Sequence, residues 1–291
     1  MTVLVLGRSG QLASHLRELL PDAAYWGREK LDLGCPANVR AAIETHRPSA
    51  IVNAAAYTGV DKAEGDRDAA WRINAEAPAM LARAAAALDV PFVHVSTDYV
   101  FDGTKGGEYE VGDPCNPVNA YGMTKLAGEL AIRTLCPRSW ILRTSWVFSH
   151  YGSNFVKTIL RLAGERQELR VVADQRGRPT YAGDVARLIA RIVAADGTDR
   201  RLAHGVYHAV GGPAVSWHGF AEAIVAAGVR HGLLACPPRV TPIGTSDSPA
   251  PARRPHNSVL RPSTELSSIL GVELDWERGL ERAAVRFGEA R

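Results

Sequence analysis

Val3-Leu4-Val5-Leu6-Gly7-Arg8-Ser9-Gly10-Gln11-Leu12-Ala13 is an apolar run that breaks on a glycine and resumes at helical spacing. Val3–Leu6 reads as a buried strand, and residues 11–20 as a helix with Leu12, Leu16, Leu19 and Leu20 on one face. Gly7 permits a tight turn, Gly10 lets the backbone approach a pyrophosphate, and small Ala13 allows close helix–strand packing. The helix start adds free N–H groups and the positive end of a dipole. The spacing is G-x-x-G-x-x-A, not the commoner G-x-G-x-x-G, and two glycines in a turn are a weak signal alone. Position strengthens it, because dinucleotide-binding folds use the first strand–helix turn for phosphate.

Outward from this turn the same rhythm continues. Short strands are expected at 23–26, 50–53, 91–96 and 140–143, with helices at 36–46, 66–88 and 121–134 and a polar loop over 102–119. Strands that are apolar throughout and alternate with helices predict a parallel sheet covered on both faces. The fold class is therefore α/β, a Rossmann-type doubly wound parallel sheet with a smaller α+β substrate-binding cap. Beyond residue 150 the rhythm loosens. Helices are expected at 153–165, 183–195, 216–227, 263–270 and 275–288, strands at 169–172 and 205–209, and ordered Pro-rich loops at 237–242 and 249–255. The division that follows assigns 1–150 and 180–212 to a dinucleotide-binding domain, and 151–179 and 213–291 to a substrate-binding domain.

Composition narrows the function classes. The net charge of +3 comes from scattered arginines, not a basic stripe, which argues against nucleic acid. Cys35, Cys115, Cys136 and Cys236 show neither Cys-x-x-Cys nor zinc-like Cys/His spacing, so reduced thiols and no metal are expected. The apolar run at the start is too short for a signal peptide, and no stretch is long enough to span a membrane. The expected location is the cytoplasm.

Tyr121 and Lys125 lie four residues apart at the start of an expected helix, hence on one helix face. Reduction of a ketone needs a proton at oxygen while hydride reaches carbon. A free tyrosine titrates near ~10, and a neighbouring ammonium lowers that value by stabilising the phenolate. Lys125 can also bind a nicotinamide ribose. The strand over 91–96 ends at Ser96-Thr97-Asp98, where a doubly wound sheet opens on its ligand, so the Thr97 hydroxyl can orient a substrate oxygen against Tyr121. The second strand ends Tyr25-Trp26-Gly27-Arg28 with no acid to hold a ribose 2′-hydroxyl, and Arg28 suits a 2′-phosphate, which favours NADPH over NADH.

Together these residues resemble the extended short-chain dehydrogenase/reductase superfamily, and more closely its dTDP-4-dehydrorhamnose reductase family. The resemblance runs through GxxGQL at 7–12, NAAAYTGVDKAE at 53–64, STDYVFDG at 96–103 and YGxTKLAGE at 121–129. RTSWVF at 143–148, DQxGxPT at 174–180 and RRPxNS at 253–258 separate this family from other extended reductases. The resemblance implies Tyr121 as proton donor, Lys125 as its partner and Thr97 as tuner of the acid. It gives cofactor contacts to Gly10, Gln11, Leu12, Asp32, Leu33, Ala56, Tyr57 and Thr58, besides Tyr121 and Lys125. Thr97, Asp98 and Trp146 would meet the sugar nucleotide, and Arg254 its pyrophosphate. The implied reaction is NAD(P)H-dependent reduction of the 4-keto group of a dTDP-4-keto-6-deoxyhexose. A sister ketoreductase of secondary metabolism would share these residues, and a non-catalytic nucleotide-binding regulator would not need them. His15 and Gly183 stand where some members carry carboxylates that link dimers through metal, so no metal is assigned and a homodimer is left open.

Overall fold

The computed structural model describes residues 2–194 and 202–289. In chain order the elements begin with β1 (Val3–Leu6), α1 (Gln11–Leu19), β2 (Ala24–Trp26), α2 (Val39–His46) and β3 (Ala50–Asn53). Then come α3 (Val60–Gly65), α4 (Arg67–Trp71), α5 (Ala77–Leu88), β4 (Phe92–Thr97), α6 (Ala120–Leu135) and β5 (Ser139–Thr144). The later part comprises β6 (Val147–Phe148), α7 (Phe155–Glu165), β7 (Glu168–Val172), β8 (Arg176–Gly177), β9 (Thr180–Tyr181) and α8 (Ala182–Ala194). It ends with β10 (Gly205–His208), β11 (Val215–Ser216), α9 (Trp217–Arg230), β12 (Arg239–Ile243), α10 (Thr264–Leu270) and α11 (Trp276–Glu289).

Strand alternation sets the layers. Val5, Val52, Val93 and Leu142 face Leu16 of α1 and Val185 and Ile189 of α8. Leu4, Leu6, Ile51 and Ile141 face Ile43 of α2, Leu81 of α5 and Ile132 of α6. With both faces covered, the strands are apolar along most of their length. Six strands pair in parallel in the order β2-β1-β3-β4-β5-β10. The chain reverses direction across the sheet between β1 and β3, so the doubly wound class expected from the sequence is present. Its ligand crevice lies beyond the strand C-termini at that switch point. A further core, built on Ile159 of α7, Leu169 of β7, Phe220 of α9 and Leu280 of α11, stands beside the sheet.

Three expectations need correcting. The helix expected over 66–88 is α4 and α5 separated by a π-helical turn at Arg72–Glu76. The cause is visible in Asn74, whose amide holds both the N–H and the C=O of Tyr57 and donates to the Thr124 hydroxyl of α6. A widened turn carries that side chain inward, as such turns do near ligand sites. The Pro-rich stretch expected as a loop at 237–242 overlaps β12, paired in parallel with β7. Pro242 is tolerated because a two-stranded sheet has only edges. The single helix expected over 36–46 opens as a 3₁₀ turn at Pro36–Asn38 before α2. Residue 195, the end of the helix expected at 183–195, and residues 195–201 of the proposed sheet domain lie outside the described residues.

Candidate active site

The ends of β1, β3, β4 and β5 open onto a cleft of about 1090 Å³. Gly7, Gly10, Gln11, Leu12, Arg28, Asp32, Leu33, Ala56, Tyr57 and Thr58 line one half of it. Thr97, Asp98, Tyr121, Lys125, Trp146 and Arg254 line the rest, so every candidate catalytic, cofactor and substrate residue named from the sequence lines one cavity.

The first half is made largely of main chain. Gly7 sits at φ +115, a conformation that strains any L side chain, and its N–H donates to the Trp26 carbonyl at 2.8 Å. Ala54 N–H donates to the Leu6 carbonyl at 3.0 Å, holding β3 against the turn. Gly10 caps α1 without a side chain, and a Cβ placed there would meet nothing within 4 Å. The first N–H groups of α1 therefore face open space, the geometry that receives a phosphate. The residues present fit a dinucleotide pyrophosphate. The Gln11 amide reaches the other lobe, accepting from Asn154 at 2.9 Å and approaching the Val147 carbonyl at 3.4 Å. Asp32 accepts from Gly34 N–H at 2.8 Å, and Leu33 is buried. Arg28 is exposed on the cleft wall. One residue beyond it, Glu29 also lines the cleft and accepts from Arg8 at 2.8 Å. The reading of this strand end as free of acid stops one residue short.

At the centre, Asn119 accepts from Gly122 N–H at 2.8 Å and so fixes the start of α6, which puts Tyr121 and Lys125 on the cleft side. The Lys125 ammonium is 1 % exposed, donating to the Val95 carbonyl at 2.7 Å and lying 3.1 Å from His94 Nε2. Burial pulls Lys125 down to about 8, with Glu129 opposing. Burial pushes the Tyr121 phenol up to about 12, and the Thr97 hydroxyl in contact with it opposes that rise. A phenol so placed keeps its proton until a stronger base forms beside it. Thr97 also donates to Asp98 at 2.9 Å, and burial raises the Asp98 carboxyl to about 6. His94, fully buried behind Lys125 and beside buried Asn53, was not singled out from the sequence; a histidine facing an asparagine across two neighbouring strands was the available signal.

The remaining wall is built from side chains of distant segments. Trp146 adopts φ +47 just after β5, and its ring stacks on Trp217 with centroids 3.5 Å apart at 7°. Gly177 permits this placement, since a Cβ there would come within 2.5 Å of the Trp146 ring. One face of Trp146 is thus covered by Trp217, a cleft residue the sequence reading missed. Arg254 is expected to meet a pyrophosphate; its guanidinium is held by Asp61 at 3.0 and 2.7 Å. Arg253 supplies its carbonyl to the Asn119 amide at 2.9 Å, tying the RRP block to the cap of α6. His15 packs inside, 2.8 Å from the Ser149 hydroxyl, and burial brings it down to about 4. Gly183 is pressed against the Tyr181 ring, 2.5 Å from where a Cβ would lie.

Comparison with known proteins agrees with this geometry. A family described as "RmlD substrate binding domain" matches residues 1–288. A dTDP-4-dehydrorhamnose reductase of Burkholderia thailandensis is 45% identical over 285 residues, spanning 95% of each chain. A dTDP-4-dehydrorhamnose reductase of Bacillus anthracis, solved in complex with NADP, is 34% identical and superposes with a TM-score of 0.87 over 98% of this chain and 100% of that one. A probable dTDP-4,6-dihydroxy-2-methyloxan-3-one 4-ketoreductase of Streptomyces antibioticus is 38% identical over 288 residues, covering 97% of this chain and 94% of its own.

Proposed function

The chain belongs to the dTDP-4-dehydrorhamnose reductase family, and from that premise we propose that it reduces the 4-keto group of dTDP-4-dehydro-L-rhamnose, giving dTDP-L-rhamnose, with NADPH or NADH. The observation that carries this reading is the single cleft in which a phosphate-receiving helix start, a half-buried Tyr121 between buried Thr97 and Lys125, and a tryptophan wall converge.

The α1 N-terminus at Gly10 and Gln11 receives the pyrophosphate, while Asp32 and Leu33 flank the adenosine and Ala56, Tyr57 and Thr58 the dinucleotide beyond it. Arg28 answers a 2′-phosphate, which favours NADPH. The dinucleotide, when bound, supplies the hydride for C4 of the sugar. Thr97 orients the ketone oxygen and Tyr121 donates its proton there as the oxygen gains negative charge. The high pKa of the phenol suits an acid that must stay protonated until that moment. Lys125 binds the nicotinamide ribose and offsets the charge left on the phenolate. Asp98, Trp146 and Arg254 contact the sugar nucleotide. In this reading residues 1–150 and 180–212 carry the dinucleotide, residues 151–179 and 213–291 carry the sugar, and the enzyme works in the cytoplasm, with a homodimer compatible with it.

NAD(P)H oxidation with dTDP-4-dehydro-L-rhamnose tests the claim; folded protein without turnover refutes it. The Streptomyces relative favours a second reading, a sister ketoreductase acting on another dTDP-4-keto-6-deoxysugar. A panel of such ketosugars separates the two by kcat/KM. A non-catalytic regulator has no use for the Tyr121–Lys125 pair, which is intact and lines the cleft here.

A further inference from the structure

His94 lies wholly buried in β4 with Lys125 Nζ 3.1 Å from its Nε2 and Asn53 Nδ2 3.1 Å from its Nδ1. Both neighbours are drawn as donors, and a neutral imidazole has one acceptor nitrogen. The conflict resolves through Lys125. As an ammonium it has three protons and no lone pair, so Nε2 must accept. Nδ1 then carries the proton and needs an acceptor, which among the described residues the oxygen of the Asn53 amide supplies. Amide oxygen and nitrogen are interchangeable assignments, and this network decides which faces the ring. The contact given up is the long one, Ala55 N–H to Asn53 at 3.3 Å. Few charges act on the pair: Lys125 on His94, and Glu129 on Lys125, with Glu129 itself held by buried Arg143 at 2.7 Å. Burial holds His94 well below its ordinary range, so the ring stays neutral and able to accept.

We infer that His94 is a positioning residue for Lys125: its Nδ1–H tautomer, fixed by Asn53, gives the ammonium a second buried acceptor beside the Val95 carbonyl and keeps it charged toward the cleft. The inference rests on the reductase reading only for why that charge matters. Without His94 the ammonium has one protein acceptor in a buried site, and its neutral form gains.

Two measurements without substrate decide it. Histidine-selective ¹⁵N spectra of the wild-type protein, with His94 assigned by its loss in His94→Gln, should show an Nδ1–H ring at neutral pH; an Nε2–H ring overturns the inference. The chain has five lysines, so ¹³Cε-lysine spectra can follow Lys125, assigned by Lys125→Arg. In His94→Leu the Lys125 midpoint should fall by about one to two pH units, and His94→Gln, which keeps an acceptor, should stay within about half a unit of wild type. An unmoved midpoint in His94→Leu overturns it, as does an equal fall in both variants. If His94→Leu fails to fold, the wild-type tautomer decides alone. The alkaline fall in kcat should follow the Lys125 midpoint in each folded variant. Absent turnover in wild type would sink the reductase reading and leave both spectra as independent tests.

Discussion

The two halves of the cleft are made of different material. Around Gly7 and Gly10 the lining groups are peptide N–H groups and small residues at the ends of β1 and β3, held by main-chain hydrogen bonds such as Ala54 N–H to Leu6. Around Trp146 the wall is a tryptophan stack and an Arg254–Asp61 pair, drawn from positions as far apart as 61, 146, 217 and 254. A main-chain site changes only when a glycine changes or the strands move. A side-chain site can be edited one residue at a time without disturbing the sheet. On the proposed reading the dinucleotide half is thus the constant part of the enzyme, and substrate choice resides in the other.

Tyr121 lies where the halves meet, and its proposed roles are proton donor and cofactor contact. Tyr121→Phe should lower kcat by about 10²–10⁴-fold, the usual worth of a general acid. KM for both ligands should stay within a few-fold. Steady-state kinetics with each ligand varied checks this, and a large KM change for one ligand alone would assign the phenol to that half.

The constant half makes a sharper claim through its two glycines. A side chain at Gly10 enters the open space proposed for phosphate, so Gly10→Val should raise the dinucleotide KM by about 10²-fold with the melting temperature nearly unchanged. Gly7→Ala instead forces a Cβ onto φ +115 and should cost about 1–3 kcal/mol of stability by denaturant titration. If Gly10→Val melts early, the turn is a packing device and not a phosphate cradle.

On the editable side, Trp217→Ala removes the partner of Trp146. Stacked aromatic pairs carry about 0.5–1.5 kcal/mol, so KM for the ketosugar should rise by about three- to tenfold and that for NADPH should not move. Fluorescence titration with each ligand separates the two. A matching loss of dinucleotide affinity would show that the stack braces the whole cleft, and the contrast between halves would fail.

The same contrast explains what the sequence made legible. Strand–helix rhythm and the turn at 7–13 are local patterns, so the doubly wound sheet and its phosphate end could be read from neighbouring residues. Tyr121–Lys125 is likewise local, one helical turn apart. Trp217 opens α9 at a spacing that reads as core packing, and only folding lays it on Trp146. Asp61 and Arg254 are separated by most of the chain, so their pairing has no local trace. The π-helical turn at Arg72–Glu76 escaped for a related reason, because its cause is the anchoring of Asn74 to Tyr57 and Thr124. The β12 strand was hidden by prolines that an edge tolerates.

The smallest effect concerns a corner where the constant half uses an ion pair of side chains. Glu29 accepts from Arg8 beside Arg28, all three lining the cleft, and the pair holds the Glu29 carboxyl below its usual range. A carboxylate there repels a 2′-phosphate and occupies the second arginine that could bind it. Glu29→Gln removes that charge and frees Arg8, so the preference for NADPH over NADH should rise on the order of two- to fivefold, the scale of exposed ion pairs. Because the groups are exposed, the gain should shrink as salt is raised toward about 1 M, where the screening length falls to ~3 Å. The ratio of kcat/KM values for the two cofactors at low and high salt measures it. A shift toward NADH would mean that Arg8 and Glu29 together shape the ribose pocket, and that this corner is as editable as the sugar wall.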